Sequence, residues 1–111
     1  MAIKNNLVID QGADFIHNIY LLDQNGDPFN ITGYTANAQV RKTFTSTSFK
    51  TIDVEVGDEN GLVSLSMNSY TTSLLTETRY VYDVLLHSNN VTSRLVEGII
   101  QVNPDVTRWE I

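Results

Sequence analysis

The sequence predicts an all-β fold, an immunoglobulin-like antiparallel β-sandwich of about seven strands built by residues 1–111 as a single domain. Three observations carry that expectation. Apolar residues recur at every second position between turn signals and almost never at helical spacing. Those turn signals return at intervals of roughly 8 to 12 residues, the spacing of a sandwich or small barrel. Finally, 111 residues that are 41% hydrophobic and 18% charged suffice for one hydrophobic core and are too few for two.

Taken in order, Leu7 and Ile9 open an amino-terminal strand that stops at Gln11-Gly12, and Phe15, His17, Ile19 and Leu21 share one face of the next. Asp23-Gln24-Asn25-Gly26-Asp27-Pro28 must reverse the chain, because Asn-Gly supplies positive φ and Pro28 cannot donate to a ladder. Tyr34, Ala36, Ala38 and Val40 then alternate with Thr35, Asn37, Gln39 and Arg41, a strand with one wet face. The polar stretch Thr43 to Ser48 reads as a guard on an exposed strand edge. Ile52, Val54 and Val56 face inward on a further strand, Gly57 to Gly61 turns it back, and Val63, Leu65 and Met67 complete a hairpin. Asn68 to Leu75 breaks the alternation and fits one helical turn, capped by Ser69 or Thr71. Tyr80, Tyr82, Val84 and Leu86 alternate with Val81, Asp83, Leu85 and His87. Ser88-Asn89-Asn90 then turns the chain into a last strand that reaches Val102 and ends at Pro104. Asn30-Ile31-Thr32 and Asn90-Val91-Thr92 match the glycosylation pattern and are read as turns.

Arg79-Tyr80-Val81-Tyr82, following an irregular turn with leucines just before it, resembles a tyrosine corner. In that feature a Tyr hydroxyl bonds to the backbone upstream and pins a crossover. Tyr80 fits that role and fits equally an ordinary strand aromatic.

Composition narrows function mainly by exclusion. With no cysteine there is no disulfide framework, thiolate metal site or cysteine nucleophile. Net charge is −6, with 13 acids against 7 Lys and Arg, and Arg41-Lys42 is the only adjacent basic pair. A nucleic-acid partner, which needs a cationic stripe, is therefore not expected. Nor is a membrane partner, since no apolar run approaches the roughly 18 residues a spanning helix takes.

Catalysis needs more than the sequence offers. His17 and His87 are the two histidines, and no Gly-x-Ser-x-Gly elbow accompanies them. Both lie in strands, where a hydrogen-bonded structural role is the default, although a two-histidine metal site joining their strands stays open. Asp23 to Asp27 carries oxygen ligands at a spacing faintly like a calcium loop, but the twelfth position, which needs a bidentate Glu, is Tyr34. No catalytic residue, metal site or cofactor is assigned, and the protein is not expected to be an enzyme. Residues 104–111 read as an extended carboxy-terminal tail, with Arg108, Trp109 and Ile111 as candidate interface residues because Trp and Arg are enriched at binding hot spots. Trp109 folded back over an open end of the sandwich is the other reading.

The order Ile9-Asp10-Gln11-Gly12-Ala13-Asp14-Phe15, an Asn-Gly-Asp-Pro turn, Ile31-Thr32-Gly33-Tyr34-Thr35-Ala36 and Val40-Arg41-Lys42 resembles a family of small virion structural proteins of tailed bacteriophages, of the tail and baseplate type. The likeness continues through Arg79-Tyr80-Val81-Tyr82-Asp83-Val84, Arg94-Leu95-Val96-Glu97-Gly98 and Val102-Asn103-Pro104-Asp105-Val106-Thr107-Arg108, almost the whole chain. It is strongest to proteins of contractile-tailed marine cyanobacterial phages and looser to the immunoglobulin-like amino-terminal domains of upper baseplate proteins. Thr78 departs from the family pattern, which has Gly before the Arg/Lys-Tyr pair. The resemblance implies a tail, neck, baseplate or decoration component, made in the bacterial host cytoplasm and located in the virion. Its implied partners are other virion proteins and further copies of itself. The alternative function is a glycan- or ligand-binding sandwich that displays Tyr20 and Tyr70.

Overall fold

Alternation of apolar and polar residues does produce strands throughout. The computed structural model describes residues 3–57 and 60–107. Its strands are β1 (Ile3–Lys4), β2 (Leu7–Asp10), β3 (Phe15–Tyr20), β4 (Thr35–Arg41), β5 (Lys50–Val56), β6 (Leu62–Met67), β7 (Arg79–Ser88) and β8 (Val91–Asn103), with one short helix, α1 (Ser69–Ser73), between β6 and β7. They form a curled mixed sheet in the order β1-β8-β7-β4-β5-β6-β3, with β2 also on β8. The curl is made at β5, whose Lys50–Ile52 half pairs with β4 while its Asp53–Val56 half pairs with β6. Two arms of the sheet thereby face each other. They share one core, in which Ile9, Ile52, Leu65, Val84, Val96 and Ile100 are fully buried.

Two expectations need correction. The sheet is mixed rather than antiparallel, because β1 and β2 run parallel to β8, with Ile3 opposite Val96 and Leu7 opposite Ile100. After β2 the chain crosses at Gln11-Gly12 to the other arm, so the first strand has no hairpin partner and adds to the free side of β8. The described residues form eight strands, since Ile3–Lys4 pairs through its backbone without any apolar alternation to announce it.

Asn5 and Asn6 join β1 to β2 without changing register, yet the ladder is rewired there. The Asn5 N–H donates to the Glu97 carbonyl at 2.9 Å, but its own carbonyl accepts the Tyr82 hydroxyl instead of a β8 amide. Ile99 N–H, left without a main-chain acceptor on this side, donates to Asn6 Oδ1 at 3.0 Å. Gly98 makes this possible: a Cβ there would collide with the Asn5 carbonyl group. Burial pushes the Tyr82 hydroxyl up to about 12, which keeps it a proton donor to Asn5.

The turns follow their sequence chemistry. Asn89 and Asn90 sit at φ 52° and 63° between β7 and β8, the backbone a two-residue hairpin requires. Gly61, at φ +70°, also lies where a Cβ would meet the Leu21 carbonyl oxygen at 2.5 Å. Asn30 Oδ1 accepts from Thr32 N–H at 3.0 Å, a turn as expected. The helical turn is present, but its cap is Asn68 rather than Ser69 or Thr71: Asn68 is extended and its Oδ1 accepts from Thr71 N–H at 2.8 Å. Buried Thr72 then donates to the Ala13 carbonyl and accepts from Gly12 N–H, tying α1 to the β2–β3 crossing.

Tyr80 opens β7 with its hydroxyl accepting the Glu77 N–H at 3.0 Å, the upstream backbone bond of a tyrosine corner. Thr78 is not among the residues with positive φ, so this bond is made without a left-handed residue before Arg79.

Three outcomes are expected. Gly98→Ala should lose about 1–3 kcal/mol in urea unfolding, as an inserted methyl against fixed backbone does. Tyr80→Phe should lose about 1 kcal/mol, which for a domain of this size lowers Tm by about 4 °C or more. Because the Tyr82 pKa is raised on folding, its contribution is complete below pH 10, the ordinary tyrosine value, and fades as pH climbs towards 12. An alkaline unfolding titration of Tyr82→Phe should show a shallower decline through that window than the unaltered protein.

Candidate functional site

Groups with the chemistry for catalysis or metal binding are dispersed. His17 on β3 meets Asn5 Nδ2 at 3.1 Å, whereas His87, near the end of β7, meets Thr92 Oγ1 at 2.7 Å. Among the described residues no group of three or more His, Cys, Asp or Glu could hold a metal ion. In the calcium-like segment, Asp23 Oδ1 is occupied by the N–H groups of Asn25 and Asp27 at 2.8 and 3.1 Å, so its carboxylate builds the turn.

The outer face of β8, β7 and β4 carries a concavity of about 630 Å³, floored by Val81 and Ile99 and walled by Phe44. Thr43 to Ser48 forms this wall's loop rather than guarding an edge, since β4 and β5 pair with each other on either side of it. Arg41 secures the loop, donating to the Ser46 carbonyl at 2.6 Å and stacking 4.8 Å from the Phe49 ring centre. Beside it, Lys42 reaches the Glu77 carboxylate at 2.7 Å, a contact that raises the lysine's pKa.

The acids on the concave face are paired within it. Asp83 and Glu97 stand directly opposite each other on β7 and β8, an unfavourable like-charge pair. A bulge resolves it: Val84 opposes Val96 but Leu85 opposes Arg94, so Leu95 is the extra residue. The one-residue slip moves Arg94 off the buried-face alternation. Its Nε then lies 3.3 Å from Asp83 and its Nη1 3.1 Å from Glu97, with Lys4 adding a contact to Glu97 at 3.8 Å. The lining thus holds Lys4, Arg41 and Arg94 against Asp83 and Glu97, with both acids paired and Arg41 turned to the Ser46 carbonyl and the Phe49 ring.

The candidate interface residues Arg108, Trp109 and Ile111 lie outside the described residues. The tail before them is docked. Asp105 N–H donates to Gln11 Oε1 at 3.3 Å, while Gln11 Nε2 donates to the Leu75 carbonyl at 3.1 Å. Tyr20 and Tyr70 are both exposed, at 65% and 70%. They do not form one platform: Tyr20 ends β3 opposite Leu62, while Tyr70 lies beyond the other end, where Ser69 N–H bonds Asp14. The six residues of β3 separate them by about 17 Å or more at roughly 3.3 Å per residue.

One feature was not anticipated from the sequence. β3 ends the sheet order and pairs with β6 alone, so its other side is an open edge among the described residues. Ile16 and Tyr20 project from its outer face, 72% and 65% exposed. The segment Phe15–Tyr20 has no Lys, Arg, Asp, Glu or Pro to discourage pairing. That uncharged run was legible in the sequence, but its position at an edge was not.

No family model matches the chain, and no curated protein matches it either.

Arg94→Ala leaves Asp83 facing Glu97 without its bridging cation. Stability in low salt should fall by about 0.5–1 kcal/mol, and the difference should shrink in high salt, as read by urea unfolding at both ionic strengths.

Proposed function

We propose that this chain is an immunoglobulin-like β-sandwich that serves as a structural subunit of a tailed-phage particle and works through protein–protein contacts. The observation that carries the contact reading is the open, uncharged edge of β3 with Ile16 and Tyr20 exposed on it. A bare edge of that kind templates pairing with another chain, and free-standing proteins normally blunt it.

The immunoglobulin-like reading is supported by the pairing pattern. One arm holds the end of β5 with β6 and β3, the other holds β4, β7 and β8 with a parallel first strand, and β5 passes between them. The Tyr80 to Glu77 bond at the turn between the arms supports it further. The phage particle itself rests on the sequence resemblance, and other virion proteins are the partners that reading implies. A glycan-binding module is the weaker reading, because Tyr20 and Tyr70 stand at opposite ends of β3.

Mass spectrometry of purified particles from the phage that encodes this chain tests the proposal. The chain is expected at a copy number comparable to the other tail or neck proteins. Its absence from particles, with expression confined to the infected cell, overturns it.

A further inference from the structure

The two edges of the curled sheet are not alike. At β1 and β2 the edge carries Lys4 and Asp10 and is interrupted at Asn5-Asn6, where backbone groups bond Tyr82 and the Asn6 side chain replaces one. Charges and irregularity of this kind discourage strand addition. The β3 edge has neither.

The outward hydrogen-bonding groups of β3 can be assigned by parity. Leu21 N–H donates to the Gly61 carbonyl on the β6 side at 2.8 Å, and N–H and C=O directions alternate along a strand. Odd-numbered residues therefore turn their main-chain groups toward β6. Ile16, Asn18 and Tyr20 turn theirs to the open edge, and these same residues hold their side chains on the outer face.

We propose that two copies of the chain join β3 to β3, antiparallel, about a two-fold axis through Asn18, continuing the sheet from one copy into the other. This rests on the reading of the chain as an assembly subunit and narrows its partner to a second copy. A sheet continuous across the axis keeps both outer faces on one side, so an outer residue must oppose an outer residue and the axis must pass through a residue. Placed at Asn18, it opposes Asn18 to itself and Ile16 to Tyr20 of the second copy, with each opposed pair exchanging both main-chain bonds. An axis at His17 or Ile19 would push one of those residues beyond the strand, against Asp14 or Leu22.

The side chains suit that register. Ile16 against Tyr20 is a β-branched and aromatic cross-strand pair, formed twice by the symmetry. Asn18 Oδ1 accepts from Ser64 Oγ at 2.8 Å within its own chain, and an amide oxygen has a second lone pair, so the two Asn18 amides can still bond each other. Despite the net charge of −6 on each chain, no acid opposes an acid: Asp14 falls opposite Leu22. An isologous contact of this kind closes on itself as a dimer.

Light scattering on the purified chain should give twice the 12.5 kDa monomer mass. Tyr20→Lys should return it to the monomer mass, whereas Val8→Lys on the other edge should leave the dimer intact, with circular dichroism showing both variants folded. Register is read separately, because the chain has no cysteine. Opposed residues of a hydrogen-bonded pair lie about 5.5 Å apart at Cα, within disulfide reach. Under mild oxidation Asn18→Cys should therefore cross-link nearly completely and Ile16→Cys several-fold less. A monomeric unaltered chain, a Tyr20→Lys variant that stays dimeric, or equal cross-linking of the two cysteine variants overturns the proposal. A monomer would leave the particle reading standing, since that reading fails only if purified particles lack the chain.

Discussion

At Gly98 the Asn5 carbonyl group occupies space that a Cβ on β8 would claim, and the arrangement of both sheet edges follows from this approach. The first strand has two potential partners, β8 on one arm and β3 on the other. With the Asn5 carbonyl held over Gly98 by the Tyr82 hydroxyl, the whole of β1 and β2 stays in one parallel register on β8. The strand can add to only one arm. Covering β8 leaves β3 with a free side.

That choice separates the molecule into a finished edge and an unfinished one. On the finished side every polar group displaced by the Asn5-Asn6 irregularity finds a partner, and among the described residues no buried side-chain nitrogen or oxygen lacks one. This matters energetically, because an unpaired buried acceptor costs about 1–3 kcal/mol, a large part of a small domain's stability. On the outer face of β7 and β8 the Leu95 bulge delivers Arg94 to the two acids that would otherwise repel. Along β3 an edge without charge or irregularity coincides with exposed apolar side chains, Ile16 and Tyr20.

Much of the fold could be read from local pattern. The alternation in Tyr80 to Leu86 and Val63 to Met67, the Asn-Asn turn, the helical turn after Met67 and the stop at Pro104 are all one- or two-residue signals that act locally. Even the Tyr80 bond spans only three residues. The parallel first strand was missed because its pairing joins residues 93 apart, Leu7 with Ile100, and is made by backbone groups that every sequence shares. One sign was present: a glycine inside a strand pattern marks a close approach by another backbone, and Gly98 is such a glycine.

Apart from Ile3–Lys4, the sequence by itself determined which segments become strands and where they turn, because those choices depend on side-chain period and on φ preferences of neighbouring residues. It also determined the scarcity of chemistry, with no cysteine and two separate histidines. Only the tertiary structure decided that Phe15–Tyr20 is an edge, that Arg94 faces Asp83 and that Tyr82 reaches Asn5. The reason is that an edge is defined by the strand that does not arrive. Long-range pairing decides that, and the residues of the edge strand carry no record of it.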